Sequence, residues 1–376
     1  MSTTIPISID DPTNKQILSI SEDQVTGFQP DPIRFIADQA NLPPETVIER
    51  IRAMMQAGTI RRVRQTLIAT SLSPGALVAW VVPPEKLNDA FDHMFNNDPF
   101  SGHVVIRSTD RETPGSQYRL WTTIKIPNPY SMDAHCKHLM QQTGATAYKL
   151  LPAKKLFALG VGHVRRREIE PGAKTDEPGR ILDTEVVPLN EHEWTVLTAL
   201  KREFTPNEIT LNPWAKRAAE ANIPLDDFIK TAHDLNNRKV VGRFSTFLEH
   251  VKKLKDGSTV TKYNALFHWA VPQGKELQAG QEVGRHHCMT HAYWREAGPE
   301  FNNVNIMGVS HGTDKEKVLE HKNAIDKHLE SINIPVAYTN VFWGGRSEIK
   351  PSEISPIAYK QYCEDNNIDP HMMVNN

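Results

Sequence analysis

The segment Ala40-Asn41-Leu42-Pro43-Pro44-Glu45-Thr46-Val47-Ile48 returns in altered form as Ala221-Asn222-Ile223-Pro224-Leu225-Asp226-Asp227-Phe228-Ile229, an offset of 221 − 40 = 181. The same offset relates Ile60-Arg61-Arg62-Val63 to Val241-Gly242-Arg243-Phe244. Further on, Ala79-Trp80-Val81-Val82-Pro83 matches His268-Trp269-Ala270-Val271-Pro272, and His103-Val104-Val105-Ile106-Arg107 matches His291-Ala292-Tyr293-Trp294-Arg295. There the offset is 188–189, because the second copy has extra residues in a Lys252–Thr261 turn. Recurrence at a fixed spacing signals a duplicated structural unit. Two surviving His-x3-Arg segments with different neighbours point to a pseudo-symmetric site in which one copy keeps more chemistry.

Working outward from the repeat, Asp31-Pro32 predicts a helix start, with Ile33, Ile36, Ala37 and Ala40 at helical spacing. Asn41-Leu42-Pro43-Pro44 reads as a turn, and Val47, Ile48, Ile51, Met54 and Met55 predict a second helix that stops at Gly58. With the β-rich Thr59–Ala69 this outlines a winged helix-turn-helix. Strand Ala76–Val82, helix Pro84–Met94, strands His103–Ser108 and Tyr118–Ile126, helix Ser131–Thr143 and a strand around Ala147–Leu151 follow. That β-α-β-β-α-β order is the ferredoxin-like plan, whose helices cover one sheet face and leave the other for a partner or ligand.

The second copy repeats the programme with helices Glu191–Phe204, Trp214–Ala221 and Pro224–Asn236 and a wing Val240–Lys253. Strands Tyr263–Val271, Cys288–Arg295 and Val304–Ser310, helix Lys315–Ile332 and a strand around Val336–Trp343 complete it. The expected organisation is a flexible arm (1–28), a first unit (29–164), a charged linker (165–188), a second unit (189–350) and a polar tail (351–376). The fold class is α+β, in tandem repeats.

Composition narrows the function. A net charge of −2 over 376 residues gives no global attraction to nucleic acid or an anionic membrane. Cys136, Cys288 and Cys363, odd in number and far apart, fit a reducing cytoplasm rather than a disulfide framework. No run approaches the ~20 apolar residues of a membrane span.

Read as a strand, Arg285–Arg295 presents His287, Met289, His291, Tyr293 and Arg295 on one face. Arginine pairs with carboxylates, histidine exchanges protons near neutral pH, and tyrosine offers a flat wall with a polar tip, so this face suits an anionic aromatic ligand. Asn305, Met307, Val309 and His311 share the face of a neighbouring strand, while alignment puts Ile126 at the first-copy position of His311. Alternation separates Cys288 from His287 and His291, which disfavours a metal site. Gly160-Val161-Gly162 and Gly344-Gly345 lack the context of a phosphate loop. Glu45, Asp226 and Asp227 at the starts of the candidate recognition helices disfavour DNA reading, and Arg61, Arg62 and Arg64 form the one basic cluster.

A winged helix followed by a ferredoxin-like domain resembles the Lrp/AsnC family of regulators. Thr290-His291-Ala292-Tyr293-Trp294-Arg295, then Asn305, then Ser310-His311-Gly312 resemble its siroheme decarboxylase branch. Arg243-Phe244 resembles a segment after that family's recognition helix, and Arg346-Ser347-Glu348-Ile349-Lys350 its C-terminal basic stretch. The chain departs from the branch at Ala292 (usually Cys), Val304 (usually aromatic) and Asn302-Asn303 (usually Trp-Pro). The resemblance implies a fusion of the two subunit types, an intramolecular pseudo-dimer that converts siroheme, or a related tetrapyrrole, to 12,18-didecarboxysiroheme for haem or haem d1 synthesis. It implies no cofactor beyond the iron-containing tetrapyrrole substrate and leaves further homodimerisation of the fused chain open; the acidic starts of the recognition helices and the lack of a long apolar run speak against DNA and membrane partners. It implies His291 and His311 as catalytic groups, with Arg295, Tyr293, Arg243, Arg107, His103, Arg346 and Lys350 binding substrate. Two other classes of function compete: a ligand-responsive transcription regulator and a non-catalytic tetrapyrrole-binding protein.

Overall fold

A computed structural model describes residues 5–68, 72–159, 169–182, 186–249 and 261–374. Gly160-Val161-Gly162, the first residues of the expected linker, the end of the second expected wing and most of the Lys252–Thr261 turn lie outside the described residues. The fold is mixed α/β and divides into two compact units. The division does not follow the order of the repeat. Like elements from the two copies are gathered together, helices and wing strands from Met1–Ile68 and Val187–Lys262 in one unit, sheet-forming segments in the other.

The helical unit opens with α1 (Pro12–Ser21), α2 (Pro32–Ala40) and α3 (Pro44–Ala57), then β1 (Ile60–Leu67). Asp11 and Asp31 each accept from a first-turn amide while proline occupies the first turn, the same start signal used twice. The expected arm at 1–28 is therefore corrected: Ile17, Leu18, Val25 and Phe28 are buried, because α1 supplies a wall of the core. From the second copy come α6 (Glu191–Lys201), α7 (Ala215–Glu220), α8 (Leu225–Asn237) and β7 (Val241–Leu248). Asn190 and Glu193 cap α6 reciprocally. The two expected wings are one ribbon, since β1 pairs antiparallel with β7 and each strand satisfies the other's main-chain groups.

The sheet unit contains β2 (Gly75–Val81), α4 (Leu87–Asn96), β3 (Ser101–Thr109), β4 (Tyr118–Lys125), α5 (Met132–Thr143), β5 (Ala147–Pro152) and β6 (Lys155–Leu159). The second copy adds β8 (Tyr263–Ala270), α9 (Glu276–Gly284), β9 (Met289–Trp294), β10 (Ile306–Gly312), α10 (Lys315–Ser331) and β11 (Tyr338–Ile349). All these strands form one sheet in the order β5-β2-β4-β3-β11-β8-β10-β9-β6. The long β11 pairs with β8 along its first part and with β3 along its second, stitching the copies together. By the same logic β5 pairs with β2 and β6 with β9, and only Ala153 and Lys154 separate β5 from β6. The two edge strands of the sheet are thus consecutive in the chain.

Burial on the second face corrects the expectation that this face is free. The face opposite the helices is interior, and Val105, Trp121 and Leu151 of the first copy meet Leu266, Phe301, Met307 and Phe342 of the second there. The helices cover the outside, over one core per copy. The tail is ordered: α11 (Pro356–Asp365) buries Tyr359 and Cys363 in the first copy's outer core, where the Tyr359 hydroxyl meets His135 Nδ1 at 3.1 Å.

Candidate active site

Strand register builds the site. His311 of β10 pairs with Asn264 of β8, Asn264 with Gly344 of β11, and Gly344 with Arg107 of β3. Directly paired residues share a face, so His311, Asn264 and Arg107 lie in one row across the interior surface. Neighbouring strands are ~4.8 Å apart, so Arg107 and Asn264 flank β11 at twice that spacing. Gly344 lets Arg107 cross the gap. Both of its terminal nitrogens donate to Asn264 Oδ1 at 3.4 Å, and one also to the Phe342 carbonyl at 3.3 Å. A Cβ at Gly344 would stand 3.2 Å from Asn264 Cβ, closer than ordinary contact.

The other side of the row comes from β9. His291 pairs with Val309 and Met289 with Ser310, so Thr290 is an extra residue, a β-bulge. The bulge corrects the simple alternation: Met289 turns with Ala292 into the outer core, whereas His291 and Tyr293 keep the inner face. It also aims the Thr290 hydroxyl at both histidines. Thr290 Oγ1 donates to the Val309 carbonyl at 3.0 Å, and it lies 3.1 Å from His291 Nδ1 and 3.5 Å from His311 Nδ1. With its one proton committed, the hydroxyl accepts from the rings. A hydrogen on His291 Nδ1 fits this arrangement and leaves its Nε2 outside the Thr290 contact. The ring of Tyr293 lies nearly parallel to His291, 6.0 Å away at 12°.

Arg107 is buried, and burial pushes its pKa down to about 10, so it stays charged at neutral pH. Its hydrogen-bond acceptors among the described residues are an amide and a main-chain carbonyl, leaving its charge without a carboxylate. Close by, His268 is fully buried among Trp121, Phe301 and Phe342, with no hydrogen-bond partner on either ring nitrogen. Burial, and secondarily the charges of Arg107 and Lys322, push its pKa down to about 3, so it is neutral. Among the described residues no three His, Cys, Asp or Glu side chains gather as metal ligands.

Of the expected site residues, His291, His311, Tyr293 and Arg107 are brought together. Arg295 lies farther along β9, buried, stacked over Tyr293 at 4.4 Å and donating to the Leu151 carbonyl; burial lowers its pKa and raises that of Tyr293. His103 meets Ser347 Oγ at 2.9 Å. Its strand mate Thr123 corresponds to Val309, so Lys125, which pairs with Gly75, stands where His311 stands in the second copy. That corrects the assignment of Ile126, which is buried in the outer core. Arg346 is on the helix side, bonded to Asn88 and Asp92 of α4 at 3.1 and 2.5 Å. Lys350 donates to the Phe95 and Asp98 carbonyls, neutralising the C-terminal end of α4. Arg243 belongs to the helical unit, where its Nε donates to the Glu22 carbonyl at 3.3 Å. Val304, which departs from the aromatic residue usual in the siroheme decarboxylase branch, is buried in the interior core beside Phe301. Thr290, Asn264 and Gly344 were missed by sequence reasoning; a lone Asn at the start of the apolar strand Ala265–Ala270 was the available signal.

Residues 72–158 and 261–340 match the profile of the AsnC-like ligand binding domain. The profile thus matches two separate segments of the chain. Both segments lie in the sheet unit, and the row of Arg107, Asn264 and His311 takes residues from each. No curated protein sequence matches the chain. Among solved structures, that of the siroheme decarboxylase NirDL superposes with a TM-score of 0.64 at 16% identity, covering 94% of this chain and 99% of that one. Its co-complex with an iron-uroporphyrin III analogue gives 0.63 at the same identity and coverage. The likeness establishes a shared fold across nearly the whole length of both chains. No helix among the described residues is long and apolar enough to cross a membrane.

Proposed function

We propose that the chain is a tetrapyrrole decarboxylase that removes acetate carboxyls from siroheme or a close relative, giving 12,18-didecarboxysiroheme. In this reading the architecture is two winged helices and two ferredoxin-like halves, a fused counterpart of a two-subunit enzyme. The observation that carries it is the continuous row in which the Thr290-bridged histidines stand beside Asn264 and the uncompensated Arg107. The fold shared with a siroheme decarboxylase, crystallised also with an iron-uroporphyrin III analogue, supports the choice of substrate class.

The chemistry follows from the residues. A substrate carboxylate docks on the Arg107 guanidinium by charge-assisted hydrogen bonds, which are stronger where water is excluded. Breaking the bond between the methylene and the carboxylate releases CO2 and leaves the electron pair on carbon. A proton must then be delivered to that carbon, and His291 Nε2 or His311 is the donor. The Thr290 bridge fixes the ring orientation, and Tyr293 flanks the acid. No redox partner is required, because the carbon gains a proton as it loses CO2.

The test is anaerobic incubation of the purified protein with siroheme, followed by mass spectrometry. Loss of two carboxyls supports the reading. Siroheme that binds with a spectral change and keeps all its carboxyls points instead to a sensor or carrier.

A further inference from the structure

We propose that the β1–β7 ribbon of the helical unit carries an oxyanion site, built by Arg61, Arg62 and Arg64 with Arg243 alongside, for a compact, multiply charged carboxylate or phosphate. This inference is independent of the decarboxylase reading, since it concerns the other unit. Strand alternation puts Arg62 and Arg64 on one face of β1. A register shift between Ile60 and Arg62 makes Arg61 an extra residue and adds it to the cluster. Across the ribbon, Arg62 pairs with Phe247 and Arg64 with Ser245, and the Arg64 guanidinium lies 5.1 Å from the centre of the Phe247 ring.

Among the described residues neither Arg61 nor Arg64 has a salt bridge, and Glu203, the carboxylate that acts on Arg64, is already paired with Arg62 at 3.0 Å. The Nε atoms of Arg61 and Arg64 are buried without a hydrogen-bond partner. Burial pushes the Arg64 pKa down to about 10; Glu203 opposes this, while Arg62, Arg243 and Arg61 reinforce it. A cationic cluster whose buried donors are unsatisfied is costly alone, and a ligand with several anionic oxygens relieves both deficits. Duplex DNA fits less well, because α3 and α8 begin with Glu45 and with Asp226 and Asp227, which repel a phosphate backbone.

Titration calorimetry on the full chain, with tricarballylate and pyrophosphate in separate arms against sodium chloride of matched ionic strength, tests the site. Saturable binding of at least one anion is expected, and the tighter arm names the source as carboxylate or phosphate. Arg64→Met keeps the stem over Phe247 but removes the charge. It should weaken binding about tenfold or more, raise the anion-free melting temperature and abolish the anion-induced rise. Arg61→Gln gives a second variant should Arg64→Met fold poorly, and repeating the titrations in an Arg107→Met background removes anion binding in the sheet unit, so that the ribbon site is read alone. The proposal is overturned by the absence of saturable binding beyond the chloride control. It is equally overturned by wild-type affinity in the Arg64 and Arg61 variants, or by salt-sensitive binding of duplex DNA with no binding of either small anion.

Discussion

Lowering the pH should destabilise this protein through His268, and replacing that residue should remove the effect. The imidazole is fully buried and held to a pKa of about 3, against ~6.5 in an unfolded chain. Between those values the unfolded state binds the extra proton, so stability falls as pH drops through about 6.5 and levels off below about 3. For one such group the linkage integral between pH 8 and pH 5 is about 2 kcal/mol. His268→Phe suits a site walled by Trp121, Phe301 and Phe342, and it deletes two ring nitrogens without partners. Urea unfolding followed by tryptophan fluorescence, run on both proteins at pH 8 and pH 5, isolates the residue, because other titrating groups cancel in the comparison. Wild type should lose about 2 kcal/mol more than the variant between the two pH values. If both lose the same amount, His268 is not a buried neutral imidazole and the described interior is wrong around it.

Gly344→Val should displace Asn264 and sever the Arg107 bond, since the new Cβ would lie 3.2 Å from Asn264 Cβ. We expect turnover to fall by at least about tenfold, with overpacking costing about 1–3 kcal/mol, read from steady-state rates beside a thermal melt. His135→Phe should strand the buried Asp98 carboxylate: burial alone would raise its pKa, and His135 at 3.4 Å, with Ser101 and the Phe100 amide, turns the net shift downward. The loss should be about 3–5 kcal/mol in denaturant unfolding, with α11 becoming protease-sensitive as its Tyr359 contact is lost. Arg346→Ala and Lys350→Ala should leave turnover unchanged, and Arg346→Ala should cost no more than about 1 kcal/mol; a collapse in rate would contradict their placement against α4.

The periodic parts of the fold were legible. Val47, Ile51 and Met54 mark α3 as clearly in sequence as in burial, and the order from β2 to β5 follows from alternating apolar runs and turn residues. What failed lacked a local signal. α9 buries only Glu276, Ala279, Gly280 and Val283, and its glycines suit close contact with the Phe157 ring rather than helix propensity. α1 did carry the Asp-Pro start that revealed α2, but its apolar residues are too few to show a period. Pairing partners could not be read either: that β1 seeks β7, or that β11 joins β3 to β8, depends on contacts far apart in sequence. In the site, His291, His311, Tyr293 and Arg107 were visible as residue types. The Thr290 bulge and the Asn264–Gly344 relay exist only through register. Arg346 and Lys350 entered the expected site through the family resemblance alone, which does not reveal that they turn toward α4.

In the proposed reaction the histidine pair delivers the proton that completes decarboxylation. Anaerobic turnover of siroheme in deuterium oxide, with wild type, His291→Ala, His311→Ala and Thr290→Val, tests it most directly. One solvent deuterium is expected in each new methyl group, together with at least one histidine variant that loses turnover while still binding siroheme and an intermediate rate for Thr290→Val. Wild-type rates in both histidine variants, or siroheme recovered intact from the wild-type protein, would contradict it.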